Sequence, residues 1–139
     1  MATVAVGDIH GNLLALNDIL GQLRSEITGG DTVVFLGDYI DRVPDSKGCV
    51  EAILGFQRNT SAEVVFLRGN PYQGTETVAY GHWNNAEMDS QGWPTPRIVG
   101  STIGIDTIAH GVLTAVRLPD RRLFQSAQYR LLDTDAQHR

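Results

Sequence analysis

The stretch "VAVGDIHGN" (residues 4–12) joins a short valine-rich run to two polar residues enclosed by glycines. The run Thr3–Val6 is apolar enough to form a buried strand, and Gly7 ends it. Two further valine-rich runs, Thr32–Leu36 and Glu63–Leu67, follow at intervals of about thirty residues. Each of them also reaches a glycine soon after its last apolar residue. The pattern therefore predicts three buried strands with tight turns at their carboxyl ends.

The two segments between these runs carry apolar residues at helical spacing, which are Leu13, Leu16, Leu20 and Leu23 in the first and Val50, Ile53, Leu54 and Phe56 in the second. Such spacing is typical of amphipathic helices. Asp45 or Ser46 could cap the second helix, and Gly29-Gly30 would stop the chain after the first. The result is a β-α-β-α-β start with a parallel sheet, in which ligands bind beyond the carboxyl ends of the strands.

The second half of the chain has a different pattern and is predicted to be rich in β-structure. We expect strands at Val78–Tyr80 and Ile98–Asp106, a polar loop over 84–96, and a hairpin formed by Val112–Leu118 and Arg122–Ser126. Pro119-Asp120 supplies the turn of that hairpin. The fold class predicted from the whole pattern is α/β, with a β-rich C-terminal half.

Composition limits the class of protein. A chain of 139 residues matches one ordinary domain, so residues 1–139 are predicted to form a single domain. The net charge of −5 and the lack of a Lys/Arg cluster argue against nucleic-acid and membrane-surface partners. Cys49 is the single cysteine, which excludes an intrachain disulfide and favours a reducing compartment. With no basic leader or long apolar segment, we expect a cytoplasmic location.

Polar residues that can bind metals follow the predicted strands, and they are Asp8, His10, Asp38, Asn70 and His82. Because each lies at a strand end, we expect all five to meet at one edge of the sheet. Carboxylate, imidazole and amide donors suit Mn²⁺, Mg²⁺, Fe or Zn²⁺, and a carboxylate between two ligand sets can bridge two ions. Taken singly, an Asp or Asn beside glycine is usually a turn residue. Their joint, ordered occurrence favours a dinuclear metal site.

At this point the sequence resembles the calcineurin-like metallophosphoesterases, and in particular the bacterial serine/threonine phosphoprotein phosphatase group. The matching motifs are "GDIHGN", "GDYIDR", "GN" and "GH", against the family pattern GDxHG, GDxxDRG, GNHE and two later histidines. The resemblance implies a metallophosphoesterase β-sandwich with flanking helices. It also implies two divalent ions, with Mn expected first and Mg, Fe, Zn or Ni as alternatives.

The resemblance assigns a role to each motif residue. It implies that Asp8 and His10 bind the first ion, that Asp38 bridges, and that Asn70 and His82 bind the second ion. Arg42 would hold the substrate phosphate, and Asp41 would orient the catalytic histidine of GNHE.

Two departures from the family pattern affect the chemistry. Pro71 and Tyr72 replace the histidine and glutamate of GNHE, so the usual general acid is missing and Asp41 has lost its partner. Only eleven residues separate Asn70 from His82, where the family has a long helical region with a further histidine ligand. His110 could supply a ligand or a proton donor instead, although an ordinary loop histidine is the alternative.

These residues together predict a metal-dependent phosphatase that hydrolyses phosphomonoesters by attack of a hydroxide activated by two ions. Without the general acid, aryl phosphates should be favoured because their leaving groups need no proton. One rival is a catalytically impaired module of the same fold that binds metal or phosphate. Another is a structural fragment whose exposed apolar surface drives association, and a homodimer or larger homo-oligomer is possible in either case.

Overall fold

The strands and helices follow the predicted alternation through the first half of the chain. The computed structural model describes residues 1–37, 46–67, 72–73, 78–80 and 87–129. The elements in chain order are β1 (Thr3–Val6), α1 (Leu13–Arg24), β2 (Thr32–Phe35), α2 (Ser46–Asn59), β3 (Glu63–Phe66), β4 (Tyr72–Gln73), β5 (Val78–Tyr80), β6 (Glu87–Met88), β7 (Pro94–Thr95), β8 (Arg97–Val99), β9 (Thr102–Gly104), β10 (Thr114–Leu118) and β11 (Arg122–Gln125). A short 3₁₀ turn, Ile108–His110, lies between β9 and β10.

The strands form two main sheets. The five-stranded sheet has the order β11-β10-β1-β2-β3, and the four-stranded sheet has the order β4-β5-β9-β8. Strands β1, β2 and β3 run parallel, whereas β10 is antiparallel to both β1 and β11. The parallel start and the C-terminal hairpin are therefore confirmed. Since β10 lies directly beside β1, the end of the chain packs against its beginning.

Helix α1 shows how the sequence covers one face of the five-stranded sheet. Its buried side chains share one face and are Ala15, Leu16, Ile19, Leu20 and Leu23. They join the core formed with β1, β2 and α2. The helix ends at Arg24, five residues before the predicted stop at Gly29. The reason is that the N–H groups of Glu26 and Ile27 both donate to the carbonyl of Leu23, which closes the last turn early.

The opposite face of the five-stranded sheet packs on the four-stranded sheet. The side chains of this second core are Ala5, Val34, Leu36, Ala79, Ile103, Ile105, Val116 and Leu118. Strand β1 contributes to both cores, because Val4 and Val6 face the helices while Ala5 faces the other sheet. The architecture is a mixed α/β fold with a β-sandwich and helices on one side. This confirms the predicted fold class.

Two predictions for the C-terminal half were wrong in detail. The single strand expected at Ile98–Asp106 is divided into β8 and β9, because Gly100 adopts a positive φ of 57° and reverses the chain. The predicted polar loop contains the strands β6 and β7, which pair antiparallel. Both errors involve strands of two or three residues, which are too short to show alternation in the sequence.

In the part of the chain that the structure describes, neither helix has the length and apolar content that crossing a bilayer requires.

Candidate metal centre

Asp8 and His10 lie in the turn that connects β1 to α1. His10 and Gly11 have positive φ values of 49° and 75°, and the N–H of Asn12 donates to the carbonyl of Ile9. The Nε2 atom of His10 comes within 3.6 Å of Oδ2 of Asp8. The two side chains therefore lie close together, and the left-handed turn at His10 and Gly11 brings them there.

Asn12 fixes the end of this turn from two sides. Its Oδ1 atom accepts a hydrogen bond of 3.2 Å from the N–H of Ala15, which caps α1. Its Nδ2 atom donates to the carbonyl of Tyr129 at 2.8 Å. The same Tyr129 donates its N–H to the carbonyl of Gly111. The segment near residue 129 thus ties the β1 turn to the turn that follows β9.

Asp106 reaches the site from the second sheet, directly after β9. The approach is close, since a Cβ atom on Gly7 would lie 2.5 Å from the carbonyl oxygen of Ile105 and 3.1 Å from that of Thr114. The N–H of Gly7 donates to the same carbonyl of Thr114 at 2.9 Å. Position 7 therefore requires glycine, because a side chain there would prevent the close approach of this backbone to Ile105. The close approach places Asp106 beside Asp8.

A buried chain of hydrogen bonds holds the backbone around Asp106. The hydroxyl of Thr107 donates to the carbonyl of Val112 at 2.6 Å and lies 2.7 Å from the hydroxyl of Thr114. Because Thr107 has a single hydroxyl proton, Thr114 must be the donor of the second bond. Gln125 in turn donates to Thr114 and accepts from the indole N–H of Trp93. This chain runs from β11 to the Asp106 turn.

Among the described residues, Asp8, His10 and Asp106 form a group whose ligand atoms all lie within 4.8 Å of one another. Asp8 and Asp106 are only 1% and 3% exposed. Burial and the neighbouring Asp8 raise the pKa of Asp106 from 3.8 to about 7, against the opposing effect of His10. Two crowded carboxylates and an imidazole are the donors that Mn²⁺, Mg²⁺, Fe and Zn²⁺ accept, and a cation would offset the repulsion. The residues present therefore fit a divalent ion.

The other predicted site residues have different positions. Asp38, Asp41, Arg42, Asn70 and His82 lie outside the described residues, and their roles stay predictions. His110 ends the 3₁₀ turn and is half-buried. Its carbonyl accepts a hydrogen bond from Gln128, and it does not belong to the group of three potential ligands within the described chain.

Sequence reasoning missed Asp106. It was treated as the last residue of the predicted strand and not as a ligand. The signal was present, because "GIDT" places a carboxylate directly after an apolar run, as "VAVGD" does for Asp8. The difference is that no glycine precedes Asp106 and no second ligand follows it two residues later.

Comparison with known proteins identifies the family and agrees with the fold. The chain matches the calcineurin-like phosphoesterase family over residues 1–133, and it belongs to that family. It is similar in structure to a crystallised "putative diadenosine tetraphosphatase", with a TM-score of 0.63 and 18% sequence identity. That match covers 92% of this chain and 94% of the other, so the two proteins are similar in length. At this identity the likeness shows a shared fold. The family implies a hydrolase that binds divalent metal ions.

Proposed function

We propose that this protein is a phosphomonoesterase that uses two divalent ions, with Mn²⁺ as the expected metal, and prefers aryl phosphates. The observation that carries the proposal is the buried group of Asp8, His10 and Asp106 at the strand ends of a calcineurin-like phosphoesterase. Among the groups of that family, its motifs resemble most the serine/threonine phosphoprotein phosphatases.

The predicted site residues would have separate roles in binding the metal ions and the phosphate. Asp8 and His10 would hold one ion, Asn70 and His82 the other, and Asp38 would be shared between them. Arg42 would bind phosphate oxygens as a planar guanidinium that matches their geometry. When bound, the ions would lower the pKa of a water molecule and neutralise charge on the phosphate. Asp8 is buried, and the low dielectric around its carboxylate would strengthen its interaction with a bound cation.

Pro71 supports the preference for aryl esters. The family motif has a histidine at this point that would protonate the leaving oxygen, and proline has no proton to give. A positioned general acid contributes about 10² to 10⁴ in rate. Esters whose leaving group is stable as an anion should therefore react faster than alkyl esters by a factor of that order.

A second candidate substrate class consists of dinucleoside polyphosphates. The similar structure described as a "putative diadenosine tetraphosphatase" favours this candidate. Its chemistry agrees with the loss of the histidine, because a nucleotide leaves as a phosphate anion and needs no proton from the protein. The two candidate substrate classes differ in their leaving group, which is a phenolate in aryl phosphates and a nucleotide in dinucleoside polyphosphates.

The experiment compares leaving groups at a fixed Mn²⁺ concentration. Substituted phenyl phosphates, one alkyl phosphate and diadenosine tetraphosphate would be hydrolysed under the same conditions. We expect a steep dependence on the pKa of the leaving group and an alkyl rate lower by about 10² to 10⁴. Equal rates for aryl and alkyl esters would contradict the proposal and indicate a replacement acid. The variant His110→Ala would then identify His110 as the replacement acid if it lowered the rate of alkyl phosphate hydrolysis at least tenfold.

The catalytically impaired alternative has its own outcome in this experiment. Protein that binds Mn²⁺ but turns over none of these substrates would support an impaired metal-binding module and contradict an enzyme. A cytoplasmic location and a homodimer also remain proposals from the sequence. Light scattering on the purified chain would measure its mass in solution and test the homodimer directly.

A further inference from the structure

We propose that Asp106 is a direct ligand of the divalent ion held by Asp8 and His10. The inference deepens the proposed function, on which it rests for the presence of a divalent ion. It adds a ligand from the second half of the chain to Asp8, His10 and the shared Asp38, which all come from the first forty residues. The first ion would then be bound by both sheets of the sandwich.

The positions of the three side chains carry the assignment. A potential ligand atom of Asp106 lies within 4.8 Å of those of Asp8 and His10, a spacing that lets all three reach one central ion. Asp106 and Asp8 are buried, and the side chain of His10 is only 13% exposed. Two buried carboxylates at this distance repel each other strongly unless a proton or a cation lies between them.

The position of Asp106 is built into the fold. Gly7 lets the backbones before Asp8 and Asp106 approach more closely than any other residue would allow. Thr107, the next residue, is anchored through its hydroxyl to Val112 and Thr114. The carboxyl group of Asp106 shares a hydrogen bond with Asp8 and accepts another from the N–H of Ile108. Asp106 is thus held in place beside Asp8.

The rival explanation is that Asp106 only stabilises the turn Ile108–His110 through its bond to Ile108. Asp106→Asn separates the two roles, because the amide keeps the size of the side chain and an oxygen that can accept from Ile108. It removes the negative charge and one oxygen that could bind a cation. A merely structural role should therefore survive this substitution, while a ligand role should not.

Asp120→Asn is the matched control. Asp120 is exposed and pairs with Arg117 at 2.6 Å in the turn after β10. Leu118 at the end of β10 pairs with Thr3 at the start of β1, so this turn lies at the opposite end of the strand from Asp8. The control removes the same charge by the same chemical change, away from the site.

The experiment titrates chelator-treated full-length protein with Mn²⁺ by calorimetry and records the absorption spectrum of the Co²⁺-loaded protein. We expect wild type and Asp120→Asn to bind Mn²⁺ equally and to give the same Co²⁺ spectrum. Asp106→Asn should bind Mn²⁺ at least tenfold more weakly and give a changed Co²⁺ spectrum, because a ligand is lost. Circular dichroism confirms that each variant is folded.

Three results would overturn the assignment. Unchanged Mn²⁺ affinity in Asp106→Asn would return Asp106 to a structural role. Weaker binding with an unchanged Co²⁺ spectrum would place Asp106 outside the coordination shell, as a residue that only positions Asp8 or His10. If wild type itself bound no Mn²⁺ or Co²⁺, the proposed function would fail together with the assignment, and this outcome is distinct from the other two.

Discussion

Two turns meet at the candidate metal centre, and they are held by different kinds of contact. The turn after β1 contains Asp8 and His10 and is closed by hydrogen bonds among residues 9 to 15, with the cap from Asn12 at its end. The turn after β9 contains Asp106 and depends on Thr114 and more distant partners in β10 and β11. The first half of the site is therefore closed mainly by local hydrogen bonds, to which the bond from Asn12 to Tyr129 adds one distant contact, whereas the second half depends mainly on the assembled sheets.

This difference predicts where the site is sensitive. A change in the β1 turn should remove a ligand directly. A change around β9 should act through the packing of the sheets and lower stability together with metal affinity. The predictions below follow this comparison from the largest expected effect to the smallest.

Asp8→Asn should have the largest effect. It removes a buried carboxylate from the group that would hold the ion, and in the proposed mechanism activation of water by the metal would supply the largest part of the rate. We expect Mn²⁺-dependent hydrolysis of p-nitrophenyl phosphate to fall by more than about 10³. Asp120→Asn, which is far from the site, should keep the wild-type rate. A variant at position 8 with near-normal turnover would contradict the role assigned to the β1 turn.

The pH dependence of stability tests the crowding of the two carboxylates in metal-free protein. The pKa of Asp106 is raised from 3.8 to about 7, so the folded chain holds a proton there that the unfolded chain has lost. The free energy of unfolding should therefore fall as the pH rises from about 4 to about 7. Chemical denaturation of wild type and Asp106→Asn across this range isolates the effect as their difference. A constant difference would show that neither burial nor Asp8 raises the pKa of Asp106 in the folded chain.

Gly7→Ala tests the close approach of the backbone at Gly7 to the backbone at Ile105. The added methyl group would lie 2.5 Å from the carbonyl oxygen of Ile105, so the β1 and β9 turns must move apart. We expect a loss of about 1–3 kcal/mol in the free energy of unfolding and weaker Mn²⁺ binding.

Gly21→Ala is the control for that substitution. Gly21 lies inside α1, and a Cβ atom there would meet nothing within 4 Å. Alanine at this position should stabilise the protein by about 0.5–1 kcal/mol, because the unfolded chain becomes less flexible. If both alanine variants changed stability in the same direction, the close approach at Gly7 would have no energetic importance.

Among the substitutions at the site, Thr107→Val should have the smallest effect. It removes the donor to the buried carbonyl of Val112 and the acceptor of the Thr114 hydroxyl proton, at a cost of about 1–2 kcal/mol. Thr102→Val is the control, because that hydroxyl bonds to the carbonyl of Val99 at an exposed position and should cost less than about 0.5 kcal/mol. Equal losses in urea unfolding would show that the buried chain does not support the Asp106 turn.

The same contrast explains how much could be predicted from the sequence. The strands β1 and β2 and the helices α1 and α2 were predictable because their own sequences carry apolar residues in regular patterns. Strand β3 was predictable too, but it lies at the edge of the sheet and is only partly buried, so the prediction of a buried strand was wrong there. Asp8 and His10 could be identified as candidate ligands because both lie in one short motif. In these segments the local pattern and the tertiary contacts require the same structure.

There is a physical reason why the short strands of the second half and Asp106 could not be predicted. Strands β6 to β9 have two or three residues each, and their positions depend on pairing with distant strands and not on their own pattern. Asp106 becomes part of the site only because β9 packs against β1 at Gly7. No feature of the sequence around Asp106 reports that contact.

The central claim is that this chain is a phosphoesterase that depends on bound divalent ions, and one titration tests it most directly. Chelator-treated protein would receive Mn²⁺ in steps while bound metal and hydrolysis of p-nitrophenyl phosphate are measured on the same samples. The account predicts no hydrolysis before metal is added and a rate that rises to a plateau at two ions per chain. Hydrolysis that persists in the chelated protein, or no hydrolysis at full metal occupancy, would contradict it.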